Sequence, residues 1–111
     1  MPLEKTYVWL TFDLGVQGDY DGLYAWLDKN KAKECGATMA FFQFEYSSDP
    51  QRELQAELAA AMTTTAKTRI YAIHDNPKKP GKPIGHFIFG GRKASPWAGF
   101  APQAPGKPDV T

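Results

Sequence analysis

The chain has little of what marks an exported or membrane-bound protein. A single cysteine, Cys35, among 111 residues excludes an internal disulfide. No apolar run approaches the ~20 residues that a membrane helix needs. The opening MPLEKTYV lacks an apolar stretch preceded by positive charge, so no secretory signal is expected. A cytoplasmic protein without a membrane role is the expectation. Only two histidines occur, His74 and His86, without the i, i+4 spacing or the neighbouring cysteine of a zinc site. No serine sits in a nucleophile elbow, and both the P-loop and the dinucleotide glycine fingerprint are missing.

What is present is an ordinary apolar share with many aromatics, 14% of the chain. The length suits one domain with one core. A net charge of +1 conceals an asymmetry: residues 1–65 carry ten acids against five bases, and residues 66–111 carry eight bases against Asp75 and Asp109. The basic half meets a polyanion, meets the acidic half of a second copy, or is a solvated surface.

Residues 7–14, YVWLTFDL, read as a strand in which Val8, Leu10, Phe12 and Leu14 face helices while Tyr7, Trp9, Thr11 and Asp13 face away. From Asp19 to Cys35, Tyr20, Leu23, Tyr24 and Leu27 follow helical spacing behind an Asp19 cap, with Gly36 after the end. Residues 37–47 return to strand chemistry as one long strand or two short ones. Asp49-Pro50 opens a second helix through Leu54, Leu58, Ala61 and Met62, stopped by Thr63 to Thr65. Residues 68–74 predict a strand, Asp75 to Pro83 a turn-rich connection, and 84–89 a last strand ended by Gly90-Gly91. The expected fold class is α+β, a ferredoxin-like βαββαβ sandwich with both helices on one face of an antiparallel sheet and an extra C-terminal strand. Residues 1–93 form that domain, and 94–111 an extended tail rich in Pro, Gly and Ala.

The other sheet face is then open, and its aromatics need an explanation. Tyr7 and Trp9, with Phe41, offer a stacking platform for single-stranded bases, a dimer interface or a seat for the tail. Lys78, Lys79, Lys82, Arg92 and Lys93 are candidate phosphate contacts. Asp13, ending its strand before a glycine-containing loop, is the candidate catalytic and metal-binding residue. One carboxylate is a poor magnesium site, so it would need Asp19, Glu45 or the same Asp of a second subunit. His74-Asp75 is a weaker acid/base candidate. Cys35, expected at a helix C-terminus behind Glu34, sits where negative charge opposes a thiolate and is assigned no nucleophilic role.

These residues resemble a family. YVWLTFDLGVQGDYDGLYAWL, FFQFEYSSDPQRELQAELAAAM and KTRIYAI are similar to the ferredoxin-like superfamily of CRISPR-associated integration-adaptor nucleases and virulence-associated protein D ribonucleases. Phe12-Asp13-Leu14 matches its strand-ending acid, Phe42-Gln43-Phe44-Glu45 approximates its S-V-F-E strand, and Arg69-Ile70-Tyr71 matches its R-I-Y strand. Bulky Phe42-Gln43 replaces the family's S-V, and GGRKASPWAGF has no counterpart there. The resemblance implies a homodimer joined through its sheets, with two copies of Asp13 near the two-fold axis holding Mg²⁺ for cleavage of RNA or DNA. The competing expectation is a dimeric module that binds nucleic acid or protein without turnover, and a weaker third is a small-ligand module.

Overall fold

In the computed structural model, which describes residues 3–102, the first strand divides its side chains as alternation dictates. Along β1 (Glu4–Asp13), Val8, Leu10 and Phe12 are buried with Leu14 just beyond, while Tyr7 and Trp9 are exposed. Leu23, Trp26 and Leu27 of α1 (Tyr20–Lys29) join the same core as Leu54 and Leu58 of α2 (Pro50–Ala61). Both helices therefore cover one face of the sheet.

Caps fix where the helices begin. Asp19 Oδ1 accepts from the Gly22 amide at 2.9 Å, and its Oδ2 accepts from Thr63 at 2.8 Å, tying the start of α1 to the chain just past α2. Those two bonds hold the Asp19 carboxyl below its ordinary range. A Cβ at Gly22 would stand 2.8 Å from the Ala61 carbonyl, so a glycine is what lets the helix ends approach. Asp49 caps α2 ahead of Pro50. Glu53 reaches back to accept from the Ser47, Ser48 and Asp49 amides at 2.8, 2.8 and 2.9 Å, which pulls its pKa down to about 2.

Three boundaries differ from expectation. Helix α1 ends at Lys29, not Cys35, because its apolar stripe ends at Leu27 and the Lys-Asn-Lys that follows has nothing to bury. Asn30 closes it, and Lys31 takes a left-handed φ of 58° that turns the chain into β2 (Lys33–Glu34). Cys35 consequently follows a strand and is exposed. Residues 37–47 take the one-strand alternative, β3 (Met39–Tyr46), so the second strand of the βαββαβ order comes instead from Lys33–Glu34.

The third difference is the connection expected over Asp75–Pro83. It is the tip of a ladder between β4 (Arg69–Asn76) and β5 (Lys79–Phe89), turned by Pro77-Lys78. A register shift between Asp75 and Asn76 absorbs the extra residues, and Asp75 Oδ1 accepts from Gly81 at 3.0 Å. Prolines 80 and 83 are tolerated there because β5 is an edge strand.

The sheet runs β2-β3-β1-β4-β5 with every neighbouring pair antiparallel. This α+β arrangement is compatible with a ferredoxin-like sandwich, its order extended to β-α-β-β-α-β-β. Residues 94–102 of the expected tail form turns rather than helix or strand, with Ala98 bonded to Ser95 and Phe100 to Trp97. Residues 103–111 lie outside the described residues. Among those described, no helix is long and apolar enough to cross a membrane.

Candidate nucleic-acid interface

Register assembles the open face. Trp9 stands between Phe41 and Ile73, Thr11 between Met39 and Tyr71, Asp13 opposite Arg69, and Tyr71 opposite Phe87. Residues far apart in sequence thus become neighbours on one surface. Tyr7 and Phe41 stack with centroids 5.4 Å apart and planes 14° from parallel, and Trp9 leans on Phe41 at 4.8 Å. These three rings, expected together from the sequence, are together. Tyr7 is 54% exposed and Trp9 40%, high values for large aromatics on a strand flanked by two others.

A second aromatic pair, Tyr71 and Phe87, meets edge to face at 4.8 Å. Any Cβ on Gly85 would collide with the Tyr71 ring and hydroxyl, so this glycine lets the tyrosine lie across β5. The Arg92 guanidinium sits 5.6 Å from the Phe87 ring centre and 6.0 Å from that of Tyr71, and Arg69 lies 5.7 Å from Phe87. Arg69 and Tyr71 enter the sequence reading only as part of the R-I-Y strand, and neither they nor Phe87 are among its candidate site residues. Their parity within 68–74 and 84–89 was visible, but the register that sets them beside Asp13 and Thr11 was not.

Basic groups flank the rings along the strand direction. Lys78, Lys79 and Lys82 occupy the β4–β5 tip, at the end where β1 begins, while Arg92 and Lys93 follow β5 at the end where β1 stops. From Arg69 to Asp75 the strand covers ~20 Å at ~3.3 Å per residue. The carboxylates of this face already have partners: Asp13 faces Arg69 at 3.8 Å, Glu45 faces Lys5 at 4.0 Å, and Asp75 holds Gly81.

Asp13 projects from the end of β1, the central strand, next to the corner where β4 starts and β5 ends; its side chain is 62% exposed, and its Oδ1 accepts from the Gly15 amide at 3.2 Å. It borders a concavity of about 390 Å³ shared with Thr11, Thr38, Arg69, Tyr71 and Arg92. The helpers weighed for a metal site do not come to it. Asp19 is bound into the α1 cap, and Glu45 lies opposite Lys5, toward the other end of β1. Among the described residues no three His, Cys, Asp or Glu side chains gather to hold a metal. Within one chain, a lone carboxylate beside a guanidinium does not fit Mg²⁺.

The histidines belong to the opposite layer. His74 is 3% exposed, and its Nδ1 pairs with the backbone carbonyl of Asp75 at 2.8 Å, not with the Asp75 carboxylate, so the sequence-based acid/base pair does not form. Its Nε2 lies 2.9 Å from His86 Nε2.

Comparison with protein-family models, with curated proteins and with solved structures finds no match. The resemblance noted above therefore rests on the short motifs of residues 6–74 themselves.

Proposed function

We propose that the chain is a ferredoxin-like module that binds single-stranded nucleic acid on its open sheet face without cleaving it. The observation that carries this reading is the Tyr7–Phe41–Trp9 cluster, exposed at the centre of a face whose two ends carry Arg92 and Lys93 and Lys78, Lys79 and Lys82. Bases stack on aromatic faces without regard to sequence, and phosphates meet the flanking cations. A span of ~20 Å suits about four nucleotides, the short end of the known platforms. The test is fluorescence anisotropy with labelled five-nucleotide RNA and DNA at low salt. Salt-sensitive binding that Tyr7→Ala and Trp9→Ala weaken supports the reading, and no binding to either at low salt overturns it.

A second copy of the chain competes for the same face. The family resemblance favours a homodimer there, and exposed apolar rings suit it. Against it, a two-fold axis along or across the strands lays basic end on basic end, which favours the polyanion. Sedimentation of the free protein and of the oligonucleotide complex separates the two occupants. The hydrolytic version of the family reading requires the partner's copy of Asp13, since one chain supplies a single carboxylate at the corner. Cleavage of RNA that needs Mg²⁺ and is lost in Asp13→Asn would replace the binding-only reading.

A further inference from the structure

The corner concavity combines two groups that repel each other's usual ligands. Asp13 offers a carboxylate of which one oxygen is engaged by Gly15 and the other sits 3.8 Å from Arg69. Arg92 lies on the Tyr71 and Phe87 rings, and its guanidinium has no carboxylate within 4.0 Å among the described residues. Arg69 offsets the Asp13 charge, so a bare phosphate engages Arg92 and leaves the remaining lone pairs of Asp13 unused, and a simple cation meets two guanidinium groups against one carboxylate.

A ligand that uses both must present donors on one edge and acceptors on another. Guanine does so: its N1–H and N2 amine are adjacent donors for a carboxylate, and its O6 and N7 are acceptors for a guanidinium. Adenine, cytosine and uracil each present a single donor group to such a carboxylate. The concavity of about 390 Å³, walled by aromatic rings, has room for a purine. We propose that this corner is a base-selecting subsite in which Asp13 and Arg92 read the edges of a guanine. The inference rests on the single-strand reading above and names what that face prefers.

The experiment compares UUGUU, UUAUU, UUIUU (I, inosine) and UUUUU by anisotropy, with guanosine monophosphate as competitor. The wild type should bind UUGUU about tenfold tighter than UUUUU, the low end of what a bidentate base contact discriminates. Inosine, which lacks the N2 amine, should lose most of that gain. Asp13→Asn keeps an oxygen for Gly15, so it should fold, and it should bind UUGUU no more tightly than it binds UUUUU. Equal binding of all four RNAs, or a preference that survives Asp13→Asn, overturns the subsite while leaving the single-strand reading intact. Direct binding of guanosine monophosphate, read by calorimetry, with no oligonucleotide binding at all would do the reverse: it keeps the subsite as a free-nucleotide site and removes the strand reading.

Discussion

His74 and His86 meet edge to face, Nε2 to Nε2 at 2.9 Å, beneath the helix-covered side of β4 and β5. The chemistry fixes the tautomers. The Asp75 carbonyl only accepts, so His74 carries its proton on Nδ1 and accepts at Nε2, and His86 donates from Nε2. His86 Nδ1 is then bare, buried and without a partner. A proton added there would create a charge with no acceptor. Burial first, and the neighbouring His74 second, hold the His86 pKa below its ordinary value, against a smaller opposing pull from Asp49.

A histidine held neutral in the fold but free to protonate when unfolded makes stability depend on pH in one direction. The unfolded chain binds the extra proton, so stability is complete above the unfolded pKa of about 6.5 and declines as pH falls through it. The slope for one such proton is bounded by about 1.4 kcal/mol per pH unit. Thermal unfolding between pH 8 and 5 should show Tm falling below neutrality. The double variant His74→Leu, His86→Leu should flatten that limb, and a limb of unchanged steepness would place its origin elsewhere.

At lower pH a different group takes over. Glu53 accepts three consecutive backbone amides and is held at about 2. Its folded pKa is depressed, so its contribution is present above the unfolded carboxyl range and is lost as pH falls from about 4.5 toward 2. Glu53→Gln, which retains one acceptor oxygen, should lower Tm by a few degrees at pH 7 and make little difference near pH 2, where the wild-type carboxyl is itself about half protonated and most of its contribution is gone. Equal Tm loss at both pH values would contradict the assignment.

Much of this fold was legible because period and caps act locally. Val8, Leu10 and Phe12 declared the buried side of β1, and Asp49-Pro50 declared the start of α2. What escaped the sequence was decided at a distance. Lys33–Glu34 is a strand only because β3 lies beside it, and Lys79–Phe89 extends through three prolines' neighbourhood only because β4 supplies a ladder on one side. The stacking trio of the site was legible by parity, whereas the Asp13–Arg69–Tyr71 corner depended on register, which period-two patterns do not encode.

Stability and recognition should separate cleanly between the two sheet faces. Leu54 is fully buried between α2 and the sheet, and Leu54→Ala should lower unfolding free energy by about 2–5 kcal/mol through lost transfer and cavity terms. Tyr7, more than half exposed, should cost little stability when changed to alanine but should weaken single-strand binding by about 1–3 kcal/mol, the worth of one stacked base. Chemical denaturation and anisotropy on the same two variants check this. If Tyr7→Ala destabilised as Leu54→Ala does, the ring would be a packing element and the open face would lose its main support.

The hairpin tip supplies the last prediction. Lys78, Lys79 and Lys82 are exposed at one end of the platform, and Arg92 stands at the other. Each phosphate neutralised on a single strand releases counterions and adds about −0.7 to the slope of log affinity against log salt. A strand lying along β1 and β4 would reach both ends, so changing the three lysines to glutamine should make that slope shallower by about 0.7–1.4, as one or two phosphate contacts disappear. Lys93→Gln, beside Arg92, should remove one contact independently, because the two ends are ~20 Å apart and share no partner. A strand running across the sheet instead would touch neither end. In that case the lysine variant would keep the wild-type slope while Trp9→Ala still weakened binding, and the direction of the bound strand would be turned by a right angle.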